Sequence, residues 1–227
     1  MGDEGESEVY DLRLTAIKCT KKVLYDLLEA ISMASKRLIK LRVSNIDIND
    51  IVLMTKMNET IYALPQLVEL NLSSLKMNGS KLADLMQNIE HTCTNLSVLN
   101  ISYNVLPTQE SYHRKFMNSL LSIISESHKL IDLNISGMNL RNNIRNLMWP
   151  LARSRVLQAI HLSDNNLNAV TLSHVHLVFG IKDAAEKINL DSVTTCAIEA
   201  PMPRTMTSRQ LEMQRIEKTK DNGGDVH

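Results

Sequence analysis

The stretch Leu96-Ser-Val-Leu-Asn-Ile-Ser-Tyr-Asn-Val-Leu106 sets Leu, Leu, Ile, Asn and Leu at offsets of zero, three, five, eight and ten. That spacing is neither a helical stripe nor plain alternation. Its centre reads as a short extended segment. Residues two apart on such a segment point the same way, so Leu99 and Ile101 face inward, and Val98, Asn100 and Ser102 face outward.

The same offsets recur along the chain. Leu67, Leu130 and Leu157 each open a copy, Leu38 and Val9 open two more, and a degenerate copy begins at Ala185. The starts at 9, 38, 67, 96, 130, 157 and 185 are separated by 29, 29, 29, 34, 27 and 28 residues, so the fourth copy is the long one. A period in this range decides the architecture. Between copies the apolar residues change to helical spacing, as in Leu82, Leu85, Met86 and Ile89, or Phe116, Leu120, Ile123 and Ile124. Helices are predicted at about 21–35, 50–64, 80–91, 110–127, 142–152 and 169–184.

One strand and one helix cannot bury such a face alone, but stacked copies share a continuous core. The expected fold class is α/β: a solenoid of about seven strand-helix repeats, with a parallel sheet on its concave side and helices on its convex side. Residues 1–8 form an acidic leader, 9–196 the repeat domain, and 197–227 a tail. The tail reads as extended around Pro201-Met-Pro203, then as a short helix opened by the capping box Thr207-Ser-Arg-Gln210.

These copies resemble the leucine-rich-repeat pattern L-x-x-L-x-L-x-x-N-x-L. The length near 28 with a full helix is similar to the ribonuclease-inhibitor-like subclass. The resemblance spans residues 9 to about 195 and implies a protein-binding role, in a family that includes inhibitors, GTPase activators, actin regulators, ubiquitin-ligase adaptors and ciliary proteins. The ninth position departs from the pattern. Its Asn is present only as Asn104 and Asn165, while Ile17, Ile46, Leu75, Met138 and Val193 stand elsewhere, so no continuous asparagine ladder is expected.

Composition narrows the function classes. Lys plus Arg and Asp plus Glu are both 25 in 227 residues, so no net field draws the chain to nucleic acid. The opening MGDEGESEVY lacks a secretory pattern and no stretch approaches the length of a membrane span, which points to the cytoplasm without membrane insertion. Cys19, Cys93 and Cys196 are odd in number and far apart, which suggests neither a disulfide framework nor a zinc site. Cys19 occupies an inward repeat position. Seven glycines form no phosphate-binding motif, and His174 and His176 are two apart on a predicted helix and so share no face. The expectation is a non-enzyme without cofactor, metal or small-molecule substrate.

Partner-binding candidates come from the outward columns of the aligned strands. The central column is Arg13, Arg42, Asn71, Asn100, Asn134, His161 and Asn189, where Asn and His offer hydrogen bonds in both directions. The column before it contributes Lys40, Glu69 and Asp132. Stacked asparagines that only satisfy their neighbours are the competing expectation. The serine column, Ser44, Ser73, Ser102, Ser136 and Ser163, is expected to serve the turns. Pro107 to Lys115 carries the extra length of the fourth copy and adds Tyr112 and Arg114 as candidates, with a longer helical turn and a solvated basic end as the plainer alternative.

The expected role is a non-catalytic protein-interaction module, a scaffold or a subunit of a larger complex. Alternatives are an actin-binding or axonemal regulator, or a GTPase-activating protein of the same repeat family. The first copy has little sequence before it to cover Val9, Leu12 and Leu14, so another subunit is expected to cover that end.

Overall fold

The computed structural model describes residues 10–34, 37–77, 79–179 and 188–189. The chain divides into two units, Met1–Thr194 and Thr195–His227. The acidic leader, Val9, Cys196 and the predicted tail all lie outside the described residues.

The first unit is α/β, with strands and helices in alternation. Strands β1 (Asp11–Thr15), β2 (Lys40–Ser44), β3 (Glu69–Asn71), β4 (Val98–Asn100), β5 (Asp132–Asn134), β6 (Ala159–His161) and β7 (Ile188–Asn189) form one parallel sheet in sequence order. Between them run α1 (Lys21–Ala34), α2 (Ile51–Tyr62), α3 (Gly79–Thr92), α4 (Glu110–Glu126), α5 (Ile144–Arg153, preceded by a 3-10 turn at Arg141–Asn143) and α6 (Ala169–Phe179). Each helix packs on the next one in the chain.

The register of the sheet is the alignment read from the sequence. Leu12 pairs with Leu41, Leu41 with Leu70, Leu70 with Leu99, Leu99 with Leu133, Leu133 with Ile160, and Ile160 with Ile188. The 34-residue step therefore leaves the pairing intact. Its extra residues go into a longer connection and into the 17-residue α4, against 12 to 14 in α1 to α3. Leu41, Leu70, Leu99 and Leu133 are fully buried and join the helix residues Leu28, Ile61, Leu82 and Phe116 in one hydrophobic cluster. This is the contiguous core expected when every strand turns the same face to a row of helices.

The turn after each of the first six strands repeats one device. Ala16, Asn45, Ser74, Tyr103, Gly137 and Asp164 all take positive φ between 52° and 65°. A side chain in this left-handed region costs free energy for any residue but glycine. The conformation aims each backbone N–H at the neighbouring strand's turn: Ala16 donates to the Ser44 carbonyl, Asn45 to Ser73, Ser74 to Ser102, Tyr103 to Ser136, and Gly137 to Ser163, at 2.8–3.2 Å. Two sequence-based placements need correction here. Ser102 is buried, not outward, because the left-handed residue after it folds the chain over the edge of the core. Cys19 is exposed, not inward, because it lies in the irregular segment between β1 and α1.

The two buried asparagines do more than a local cap. The Asn104 Nδ2 donates to the Leu72 and Ile101 carbonyls at 2.8 and 2.9 Å, and its Oδ1 accepts from the Leu75 N–H at 3.1 Å. Asn165 repeats this two turns further on, with Ile135 and Leu162 as acceptors and Met138 and Leu140 as donors. Each asparagine serves its own turn and the preceding one. The turn at Leu75 thus has its polar groups satisfied although its own ninth position is apolar.

Gly79, the first residue of α3, lies close against the backbone of the fourth connection. A β-carbon there would lie 2.5 Å from the Pro107 Cα and 2.8 Å from its N, both backbone atoms that cannot swing aside. This contact pins the start of the long fourth connection against α3. Gly79→Ala is expected to destabilise the protein by about 1–3 kcal/mol through overpacking, measured as a lowered midpoint in urea unfolding.

Candidate functional site

Alternation along the strands leaves one set of side chains on the sheet face opposite the core. Lys40, Arg42, Glu69, Asn71, Val98, Asn100, Asp132, Asn134, Ala159 and His161 are all half-buried, and Arg13 is exposed. Strand register places Arg13 beside Arg42, Arg42 beside Asn71, then Asn71, Asn100, Asn134 and His161 in a continuous row, with Asn189 next in register.

The basic end of this row is compensated on the face itself. Arg42 is the hub: its Nε donates to the Glu69 carboxylate and its Nη1 reaches Asp11 at 3.2 Å. Arg13 reaches the same Asp11 through Nη2 at 2.9 Å, and the Lys40 ammonium stands 3.6 Å from Glu69. The Glu69 hydrogen bond, with Asp11 nearby, holds the Arg42 guanidinium more firmly protonated. The hydrogen bond from Arg13, aided by the charges of Arg42 and Lys40, holds the Asp11 carboxyl below its usual range. A lowered carboxyl pKa stabilises the fold at neutral pH and ceases to do so as pH falls through the folded-state value.

In the centre the asparagines do not bond one another. The Asn71 Oδ1 accepts from the Ser73 N–H, Asn100 from Ser102, and Asn134 from Ser136, each at 3.0 Å. Each oxygen accepts a bond from its own strand, which fixes the orientation of the carboxamide. At the far end the His161 Nε2 lies 3.2 Å from Asp132 Oδ1.

The fourth connection does not join this row into a pocket. Gln109 stands at the N-terminus of α4, so Tyr112, His113, Arg114 and Lys115 occupy its first turns. Arg114 pairs with Glu110 at 2.7 Å in solvent, and Lys115 ties α4 to Asp84 of α3 at 2.8 Å. Tyr112 packs partly against the core and lines, with Pro107, Gly79, Lys76 and Asn49, a hollow of about 510 Å³.

Sequence reasoning missed one feature at the turn edge. The Tyr103 hydroxyl donates to Asp164 at 2.7 Å, reaching over Gly137, whose β-carbon would fall 2.3 Å from the Tyr103 ring. Tyr103, Gly137 and Asp164 hold the same position in three successive copies, so reading that column across the alignment reveals the tyrosine, the gap beneath it and its acceptor.

Among the described residues no group of three or more His, Cys, Asp or Glu could hold a metal ion, and no helix is long and apolar enough to cross a membrane. Burial pushes the Cys93 thiol up to about 12, whereas Cys19 is exposed. Burial therefore keeps Cys93 in the thiol form at pH 8, and the thiolate is the form that reacts. Iodoacetamide at that pH is expected to label Cys19 in the native protein and Cys93 only after denaturant is added, as read by peptide mass spectrometry. Compared with protein-family models and with curated proteins, the chain matches none.

Proposed function

We propose that this chain is a non-catalytic protein-interaction module, a leucine-rich-repeat solenoid of the ribonuclease-inhibitor-like kind that acts in the cytoplasm as a scaffold or a subunit of a larger assembly. The observation that carries this reading is the row of outward side chains in strict strand register, above all Asn71, Asn100 and Asn134, each held in one orientation by its own strand. Repetition produces an extended surface with fixed spacing, which suits another macromolecule better than a small substrate. The ion-paired Asp11, Arg13, Lys40, Arg42 and Glu69 then form the rim of a polar docking strip. The GTPase-activating alternative has less support, since Arg42 is engaged by Asp11 on one side and Glu69 on the other.

The test is native affinity capture, followed by reconstitution of the captured protein with the purified chain. The expected result is a stoichiometric complex that survives gel filtration and does not accelerate GTP hydrolysis by candidate GTPases. Stimulated hydrolysis, or no protein forming such a complex, counts against the proposal.

A further inference from the structure

We infer that the outward sheet face is a hydrogen-bond donor surface that takes a carboxylate-rich protein segment. This rests on the interaction-module reading above and names the chemistry of the partner.

The inference follows from an account of every polar group on the face. A carboxamide carries an acceptor oxygen and a nitrogen with two donors. Asn71, Asn100 and Asn134 each use the oxygen on a backbone N–H of their own strand, and none of their Nδ2 groups has an acceptor among the described residues. No buried side-chain nitrogen or oxygen among the described residues lacks a partner, so these three amide groups reach solvent. The strand pairs Asn71 with Asn100 and Asn100 with Asn134, which sets the amides in a line at roughly the interstrand spacing of 4.8 Å.

Two of the three carboxylates on the face are engaged by its own cations. Asp11 is held by Arg13 and Arg42, and Glu69 by Arg42 and Lys40, while Asp132 stands 3.2 Å from His161 at the far end. The cations keep donors to spare. Among the described residues the Arg13 Nη1 and Arg42 Nη2 take no acceptor, and Lys40, 45% exposed, stands only loosely over Glu69 at 3.6 Å. From Arg13 through Lys40, Arg42 and the amide row, the face therefore turns N–H outward, with the Asp132 carboxylate at its far end. Val98 sits within it as an apolar contact. The complementary ligand carries acceptors in sequence, as the carboxylates of an acidic segment do. Formal charges on the face balance, Arg13, Lys40 and Arg42 against Asp11, Glu69 and Asp132, so recognition comes from directed bonds more than from a long-range field.

The geometry supplies a variant that separates binding from folding. Aspartate retains the oxygen that accepts the Ser N–H but has no Nδ2. The triple variant N71D/N100D/N134D thus keeps each accepting oxygen and removes the donor row, while setting three carboxylates side by side, which repel. Fluorescence anisotropy with a labelled decaglutamate peptide, in salt high enough to screen the added charge, is expected to give binding by the wild type and at least a tenfold loss in the triple variant, with both proteins folded by circular dichroism. Decalysine and an oligouridine of matching charge serve as controls and are expected to bind neither.

Equal decaglutamate binding by both proteins, no binding by the wild type, or preference for oligouridine overturns the inference. Should the triple variant lose its fold, N100Q supplies the second measurement. It keeps an amide donor and is expected to retain binding, whereas loss of binding with an unchanged urea midpoint overturns the inference. A natural partner captured equally by wild type and triple variant overturns the donor-face inference while leaving the interaction-module reading intact.

Discussion

Asn104→Ala is expected to cost about 3–5 kcal/mol of stability, an unusually large loss for a polar residue replaced by a small one. The side chain is 1% exposed and bridges two turns. Alanine strands the Leu72 and Ile101 carbonyls and the Leu75 N–H in a place water does not reach, and each orphaned group costs about 1–3 kcal/mol. Packing of Leu99 and Leu133 remains, which offsets none of that cost. Asn100→Ala, four residues away, removes only one acceptor from a half-buried turn, with an expected loss of about 0.5–1.5 kcal/mol. Urea unfolding of the two variants side by side checks the contrast. Similar midpoints would mean that the bridge across turns has no special weight.

Leu99→Asp is expected to abolish the folded state. Leu99 is fully buried and pairs in register with Leu70 and Leu133, so a carboxylate there has apolar neighbours on both sides and in front. Burying an unpaired charge costs several kcal/mol even when the group takes up a proton, which approaches the 5–15 kcal/mol that holds an ordinary domain together. Loss of the cooperative thermal transition in circular dichroism is the expected signature. A folded Leu99→Asp protein would place that residue outside the core and reverse the assignment of the two faces.

Both predictions depend on features of unequal visibility in the sequence. The inward positions were legible because the apolar residues keep their offsets through a 34-residue step, and the sheet register follows them residue by residue. Helix positions were legible for the same reason, since Leu82, Leu85, Met86 and Ile89 share one helical face and are all buried. The turns were not. A left-handed residue leaves no mark when Ala16, Ser74 and Tyr103 occupy the position as readily as Gly137, because the hydrogen bond into the neighbouring turn sets the backbone. The burial of Ser102 follows from that unmarked bend.

The candidate site was legible as a column but not as chemistry. Alignment placed Asn71, Asn100 and Asn134 side by side, yet the sequence does not record which end of a carboxamide faces outward. That is decided by the N–H of the residue two places on, which lies within reach only because the strand bends there. The ion pairs are similar. Arg42 lies between Asp11 and Glu69 through neighbours in space 27 to 31 residues away in sequence, and a list of charges by column shows mixed sign without showing who holds whom.

The central claim is that a protein partner is taken on the outward sheet face and not on the helices. Site-specific photo-crosslinking in native extract tests it most directly, with p-benzoylphenylalanine in place of Val98 on β4, and in parallel in place of Val23 on α1, which is 54% exposed. The predicted result is a discrete protein adduct from position 98 and none from position 23. An adduct from position 23 with none from position 98 would contradict the claim.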